Sequence, residues 1–528
     1  MTTVTTPAPT SAALPDDPSV LRATIEGLSA QLAEAKKRIQ ALQHQIDLLR
    51  RSTFGRKSEK LVVDQLLLAF AGLQGEVGRI EQAQAKAEEA IEARVEEKTP
   101  GHGRRVLPRD LPRETIVVTV PEGDRSCATC GGPCVTIGFD EAERLEYTPA
   151  TFKVQVVRRE KIACKPCQAN VVTADPPPQP LEKALPGPRL IAHIITNKYA
   201  DHLPLYRQEA IFARCGFKIA RSTMVGWLIP AAALLKPIAD AMFEEILLSR
   251  AINSDETPVP VLDPLLDQTR EGRLWVYCGD RDHPHLGYKY SPDRRGEHPA
   301  RHLADYAGFL IADAYAGYDA IFKAGRIREV LCWAHVRRKF YDSRTTDALS
   351  ANIALAWISK LYDVEKLAHD MSHDDRKSLR QTDSAPILAD FKTWLDEAAL
   401  EILPSSPMGQ AIAYATRNWP ALELYIQHGF LPIDNNAAER ALRCVAVGRK
   451  NWEFAGSDEG GHRAAIFYTL VSTCKLHGVD PEAYLADVLM RVATTPARNI
   501  ADLFPLNWAK ARLADTLAAA KAVAEIAR

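Results

Sequence analysis

The chain has 528 residues, too many for one hydrophobic core, and its 46% apolar and 25% charged composition is that of a multidomain globular protein. A formal net charge of −1 excludes a global basic field, so contact with a polyanion must rest on local clusters of Lys and Arg. The N-terminus lacks a basic start followed by an apolar core, and no stretch approaches about 20 uninterrupted apolar residues, so a cytoplasmic protein without membrane contact is expected. Four of the 10 cysteines form two CxxC pairs, which points to a metal site in a reducing compartment rather than to disulfides.

Residues 1–17, rich in Pro, Thr and Ala, are expected to be disordered. Beyond them apolar residues alternate spacings of four and three. Ile25, Leu32, Ile39 and Ile46 take the a positions of a heptad and Leu21, Leu28, Ala35, Leu42 and Leu49 the d positions. Ile at a with Leu at d favours a parallel two-stranded coiled coil over a lone amphipathic helix, and so a homodimer or higher oligomer. The seam runs into RRSTFGRKSEKL, where Arg56 and Lys57 sit beside Phe54 and Gly55 in a basic cluster that reads either as a phosphate contact or as a solvated helix end. Coiled coil and basic helix together fill 18–97, and the Pro/Gly-punctuated stretch 98–116 is a linker.

Residues 117–175 read as a zinc ribbon. Cys127 and Cys130 form one knuckle, the strand-like TFKVQVVRREKIA follows, and Cys164 and Cys167 form the second. Four thiolates on two knuckles suit a closed tetrahedral Zn²⁺ site that holds a small fold together, with Cys134 as a possible substitute ligand. A second linker, 176–187, leads to a helical segment, 188–245. Within it a short helix, a turn at Cys215-Gly216-Phe217 and a helix capped by Ser222 resemble helix-turn-helix geometry, and the segment is read as DNA-binding.

From about residue 246 the period changes to that of strands. RAINSDETPVPVL, GRLWVYCGD and HLGYKYSPD are expected as three consecutive strands, GEHPARHLADYAG as a helix, and FLIADAYAGY and REVLCWAH as two further strands with a short helix between them. That order is the one of a ribonuclease H-like α/β core, which places Asp255 in the first strand and Asp313 at the end of the fourth. The core occupies 246–342 and resumes over 431–478; a helical insertion fills 343–430 and a helical C-terminal region 479–528. The whole is a multidomain α+β protein.

A third acid has to come from a later helix, and LPIDNNAAERALR supplies one. Its Asn-x-x-Glu spacing fits a capping box, with Asn436 as N-cap and Glu439 at N3. It equally fits a metal ligand: two divalent ions about 4 Å apart need carboxylates from separate elements, and Asp255, Asp313 and Glu439 provide them. Arg440 and Arg443 stand beside Glu439 as phosphate contacts. Glu256 and Asp434 are rival acids.

The stretches FGRKSEK, the paired CxxC module, SDETPV, ADAYAGY, CWAHVRRKF, DNNAAERALR, GRKNWEFAGSDEGG and TCKLHGVDPEAYL together resemble the insertion sequence 66 family of bacterial DDE transposases, in family order and over nearly the whole chain. The resemblance implies a catalytic triad of Asp255, Asp313 and Glu439 holding Mg²⁺ (or Mn²⁺). It implies a protein associated with DNA, with transposon ends and target as partners, which cuts a phosphodiester and transfers the 3′ strand; small accessory proteins of the same element are possible further partners. The rival readings are a non-catalytic zinc-containing DNA-binding regulator and a repair nuclease. Arg337, Arg338 and Lys339 form either a phosphate patch or a solvated helix face. Arg449 and Lys450 beside Trp452 suit a DNA backbone or a buried turn. Cys332 and His335 make half a metal site, and a structural role is preferred.

Overall fold

A computed structural model describes Thr115 and residues 151–162, 172–175, 177–181, 184–263 and 268–526. The heptad seam, Arg56, Lys57 and the cysteines Cys127, Cys130, Cys134, Cys164 and Cys167 lie outside the described residues. The chain divides into two compact units, Phe70–Val156 and Met1–Ala69 with Val157–Arg528; among the described residues every helix and strand lies in the second. Of the strand expected at Thr151–Ala163, only Lys161–Ile162 pairs, antiparallel with Val172–Thr173.

Three helices precede the sheet: α1 (Pro188–Tyr199), α2 (Leu205–Arg214) and α3 (Arg221–Ile246). The expected cap at Ser222 is not made. Ala220 is the N-cap of α3, without a side-chain bond, and Ser222 lies inside the first turn. Nor is α3 short: it runs through Pro230 and Pro237. A proline inside a helix costs about 3 kcal/mol. Met224, Leu228, Ala231, Leu235, Ile238, Met242 and Ile246 nevertheless recur at helical spacing and are all buried. Each large one contributes about 1.5–3 kcal/mol on burial, so the stripe outweighs the prolines, both of which face outward. By length and composition α3 could cross a membrane; here its apolar stripe belongs to a hydrophobic core. That packing buries one stripe of α3 and leaves Arg221, Ser222 and Thr223 of its first turn exposed, together with outward positions such as Ala233, Lys236 and Pro237 further along.

The sheet has five strands, β1 (Ala251–Val261), β2 (Arg270–Cys278), β3 (Leu286–Ser291), β4 (Gly308–Ala312) and β5 (Ile327–Leu331), in the order β3-β2-β1-β4-β5. β1–β2 and β2–β3 are antiparallel; β4 is parallel to β1 and β5 to β4. The expected helices appear as α4 (Glu297–His302) after β3, α5 (Asp319–Lys323) between β4 and β5, and α6 (Trp333–Ser343) after β5. The antiparallel β1–β2 pairing extends to Val261, but the parallel β1–β4 pairing stops at Asn253↔Ile311, so the two strands part there like a fork. Pro258 and Pro260 ensure that pairing cannot resume. On the side away from β2, the carbonyls of Pro258 and Pro260 accept from Arg449 and from the Ala455 N–H, and the prolines have no N–H to leave unmet.

Helices α7 (Ala348–Leu367), α8 (His373–Leu379), α9 (Ala385–Glu401), α10 (Pro407–Arg417) and α11 (Trp419–Glu423) follow, and all but α8 build a core with Trp333 and Phe340 of α6. One arginine ties this region to the segment that follows it. Arg380, fully buried in a π-helical turn, donates through Nε and Nη2 to both Glu365 oxygens and through Nη1 to the carbonyls of Tyr425, His428 and Leu431. The bidentate pair satisfies charge, and the three carbonyls fix the segment before Asp434. The chain ends in α12 (Asn436–Trp452), α13 (Asp458–Leu476), α14 (Pro481–Arg491) and α15 (Pro505–Ile526). α12 lies across β1 and β2, and α13 across β3.

Candidate active site

Side chains alternate across a strand, so Asp255 shares a face with Ala251 and Asn253, and Glu256 faces the other way with Ile252 and Ser254. The parallel register Ala251↔Phe309, Ile252↔Leu310, Asn253↔Ile311, continued two steps, sets Asp255 level with Asp313 across the fork. α12 crosses that same face with Glu439 in its first turns, among acids whose charges act on one another. Burial, the Glu256 charge and then the charges of Asp313 and Glu439 push the Asp255 carboxyl up to about 7. Burial and Glu256 push Asp313 up to about 6, against the opposing pull of Arg294 and Lys339. Acids from the end of β4 and from α12 thus lie near enough for their charges to act on Asp255 of β1.

The rival acids have other partners. Glu256, with a side chain only 4% exposed, pairs at 2.5 Å with Arg294 Nε, and Arg294 stacks over Tyr315. Asp434 accepts from the Asn436 N–H at 3.1 Å, from Asn436 Nδ2 at 2.6 Å and from the Tyr362 hydroxyl at 3.0 Å. Glu439 has no such bonds. The Arg338 guanidinium and the His335 ring each lie 3.8 Å from it, and its Oε1 is buried without a hydrogen-bond partner among the described residues. Burial and the charges of Arg338 and Lys339 push His335 down to about 4, so it is neutral at pH 7. Three carboxylates, two of them with raised proton affinity and one with an orphaned oxygen, are a donor set that fits a hard divalent cation.

The capping box does not form. Asn435, not Asn436, is the N-cap, which places Glu439 one position beyond N3. Asp434 takes over the cap by accepting the Asn436 N–H, and Asn435 turns its side chain into the sheet. Cys332, Sγ of which lies with His335 and Glu439 ligand atoms within 4.8 Å, is the N-cap of α6 and accepts the Asn435 N–H at 3.1 Å. Burial pushes its thiol up to about 11, so it is a protonated structural group and a poor ligand.

Of the basic residues singled out in the sequence, Arg338, Lys339, Arg440, Arg443 and Lys450 are exposed and Arg337 is half-buried. Arg449 is half-buried and donates from Nη1 to Thr257 Oγ1 at 2.7 Å and to the Pro258 carbonyl at 2.6 Å on the free side of β1, which accords with the buried-turn alternative. Arg294 and Tyr315 were missed. They lie in loops with no periodic signal, and only the ADAYAGY motif brought Tyr315 near an acid.

The profile described as Transposase IS66 family matches residues 183–463. The chain belongs to the Transposase IS66 family. Three further family profiles agree: transposase C of IS166 homeodomain over 41–116, zinc-finger binding domain of transposase IS66 over 124–168, and IS66 C-terminal element over 469–506. The zinc-finger match contains Cys127, Cys130, Cys164 and Cys167 and supports a structural zinc. Two uncharacterized Sinorhizobium fredii proteins are similar along their length: y4hP is 35% identical over 510 residues, 91% of each chain, and y4qI 35% identical over 505 residues, 92% of each. A third, y4jD, is 34% identical over 417 residues, 76% of this chain and 81% of the relative. Membership of the IS66 family supports a transposase function, with DNA as the partner.

Proposed function

We infer that this transposase works by metal-dependent DDE chemistry on a ribonuclease H-like core, with Asp255, Asp313 and Glu439 as the catalytic acids and Mg²⁺ or Mn²⁺ ligands. The observation that supports this reading is that the charges of Asp313 and Glu439 act on Asp255 at the β1–β4 fork and that no close ion pair holds Asp255 among the described residues, while Glu256 and Asp434 have short-range partners. Bound there, divalent cations would activate the attacking oxygen and neutralise charge on the leaving one. The protein's own contribution is to present three carboxylates from separate elements to one site and to draw Asp255 partly out of water. Exposed Arg440 and Arg443, one and four residues beyond Glu439, would contact DNA phosphates, as would Arg338, Lys339 and Lys450. The reaction cleaves a phosphodiester at the element end, leaves a 3′ hydroxyl, and joins that oxygen to a phosphorus of target DNA with release of the target's own 3′ oxygen.

The heptad seam would pair protomers so that two ends are held together, and the structural zinc module and helices α1–α3 would recognise those ends. The helical region α7–α11 would act as an insertion that positions end DNA. A strand-transfer assay with a labelled element end and Mg²⁺ or Mn²⁺ tests the triad. Asp313→Asn and Glu439→Gln are each expected to lower joining by about 10³-fold, the equivalent of several kcal/mol of charge stabilisation. Undiminished joining by Glu439→Gln would sink the assignment, and DNA binding without cleavage by the wild type would favour the regulator instead.

A further inference from the structure

Where β1 parts from β4, the first carbonyl left without a strand partner is that of Ser254, the residue before Asp255. Asn435 Nδ2 donates to it at 2.7 Å. The same amide's Oδ1 accepts from Asn253 Nδ2 at 2.9 Å, and the Asn435 N–H reaches Cys332 Sγ at the start of α6. Asn253 Nδ2 also lies 3.4 Å from the Asp434 carbonyl. Asn435 is fully buried and makes no capping bond to its own helix. Only a side chain that both donates and accepts through two separate atoms at this reach can bridge a carbonyl and an amide in this way; Asp lacks the donor, Leu lacks both groups, and Ser has a single oxygen one bond nearer the backbone. A helix capped at Asn435 places Glu439 one turn further on, directly above it. The amide therefore joins the strand that carries Asp255 to the helix that carries Glu439, at the root of each.

We propose that Asn435 is the positioning residue that sets the gap between the Asp255 and Glu439 carboxylates, and hence the affinity of the site for a divalent cation. This inference rests on the reading of those acids as metal ligands. Partners that orient a ligand are typically worth about 10–100-fold in metal affinity. The test is a titration of the full chain with Mn²⁺ alone, free ion being followed by electron paramagnetic resonance, for the wild type, Asn435→Ser, Asn253→Ser and Glu439→Gln. Asn435→Ser is expected to weaken Mn²⁺ binding at the acidic site by about tenfold or more while keeping the wild-type circular dichroism spectrum. Should Asn435→Ser fail to fold, Asn253→Ser, which removes the amide–amide bond and the longer contact with the Asp434 carbonyl but keeps the Asn435 bond to Ser254, takes its place and is expected to weaken binding in the same sense. Wild-type affinity in the folded variant overturns the inference. Wild-type affinity in Glu439→Gln overturns instead the reading on which it rests.

Discussion

Asp255 and Glu256 are consecutive, chemically alike and both drawn out of water, yet their surroundings are opposite. Glu256 has a guanidinium at 2.5 Å, and the same Arg294 stacks on Tyr315. Asp255 faces two further acids, and its first hydrogen bond is with the N–H of its own neighbour Glu256. Glu365 repeats the Glu256 pattern in the helical region, held bidentately by Arg380. A carboxylate matched with its cation contributes to the fold; an unmatched one keeps its capacity to bind something else and destabilises the fold by its own repulsion.

The sharpest way to break this contrast is to neutralise each neighbour in turn. Asp255→Asn is expected to cut strand transfer by about 10³-fold, whereas Glu256→Gln stays within about tenfold; equal loss in both would abolish the distinction. Stability should move oppositely. The folded pKa of Asp255, about 7, is above the ordinary 3.8, so the folded chain binds more protons than the unfolded one. The stability this provides is present below the unfolded value and is lost as pH rises through about 7. Asp255→Asn should therefore melt higher than the wild type at pH 8, and the difference should shrink toward pH 4. Glu256→Gln should melt lower at pH 8, having lost a charge-assisted bond worth about 1.5–3 kcal/mol.

The matched pair at Arg380 offers the largest stability effect. Arg380→Met leaves Glu365 charged, 16% exposed and alone, with three carbonyls undonated, and is expected to destabilise the helical region by about 3–5 kcal/mol in urea denaturation followed by tryptophan fluorescence. A change below about 1 kcal/mol would mean that charge matching is not what holds that segment. The smallest effect is expected at the surface. His193 Nδ1 lies 2.8 Å from Glu482 Oε2, joining α1 to α14, and this hydrogen bond raises the His193 pKa despite opposing burial. Its stabilisation is full below about pH 6.5 and is lost as pH rises through the raised folded value. His193→Gln should cost about 0.2–1 kcal/mol at pH 5.5 and less at pH 8, read from paired melting curves.

The strands and acids were legible in the sequence because their signals are local. The continuous apolar run LWVYC marks β2 as a strand buried on both faces, and an acid in each of SDETPV, ADAYAGY and DNNAAERALR marks the candidate site. The division between Asp255 and Glu256 follows from strand parity alone, but the identity of the cation that matches Glu256 does not, since Arg294 arrives from a loop 38 residues on. Asn435 and Asn436 were exchanged because both are good caps and propensity cannot tell them apart; the unmet Ser254 carbonyl decides it. The helix expected after Ser222 runs on through Pro230 and Pro237 because a buried stripe on α3 outweighs them. At Arg449 the sequence leaves a DNA contact and a buried turn equally open because nothing in its neighbourhood announces that β1 lacks donors on that side.

That proline-marked edge of β1 has a consequence for how such a chain tolerates change in length. The cleft between β1 and β4 is shaped by β1 and closed by residues on either side of and within α12, from Asn435 to Arg449 and Ala455. None of those closing contacts comes from the helices α7–α11. Lengthening a connection between fixed ends costs only about 0.6 kcal/mol for each doubling. The connection from α6 to α12 is therefore free to vary in length without moving those contacts, provided that a lock such as Arg380 returns the chain to the same doorway.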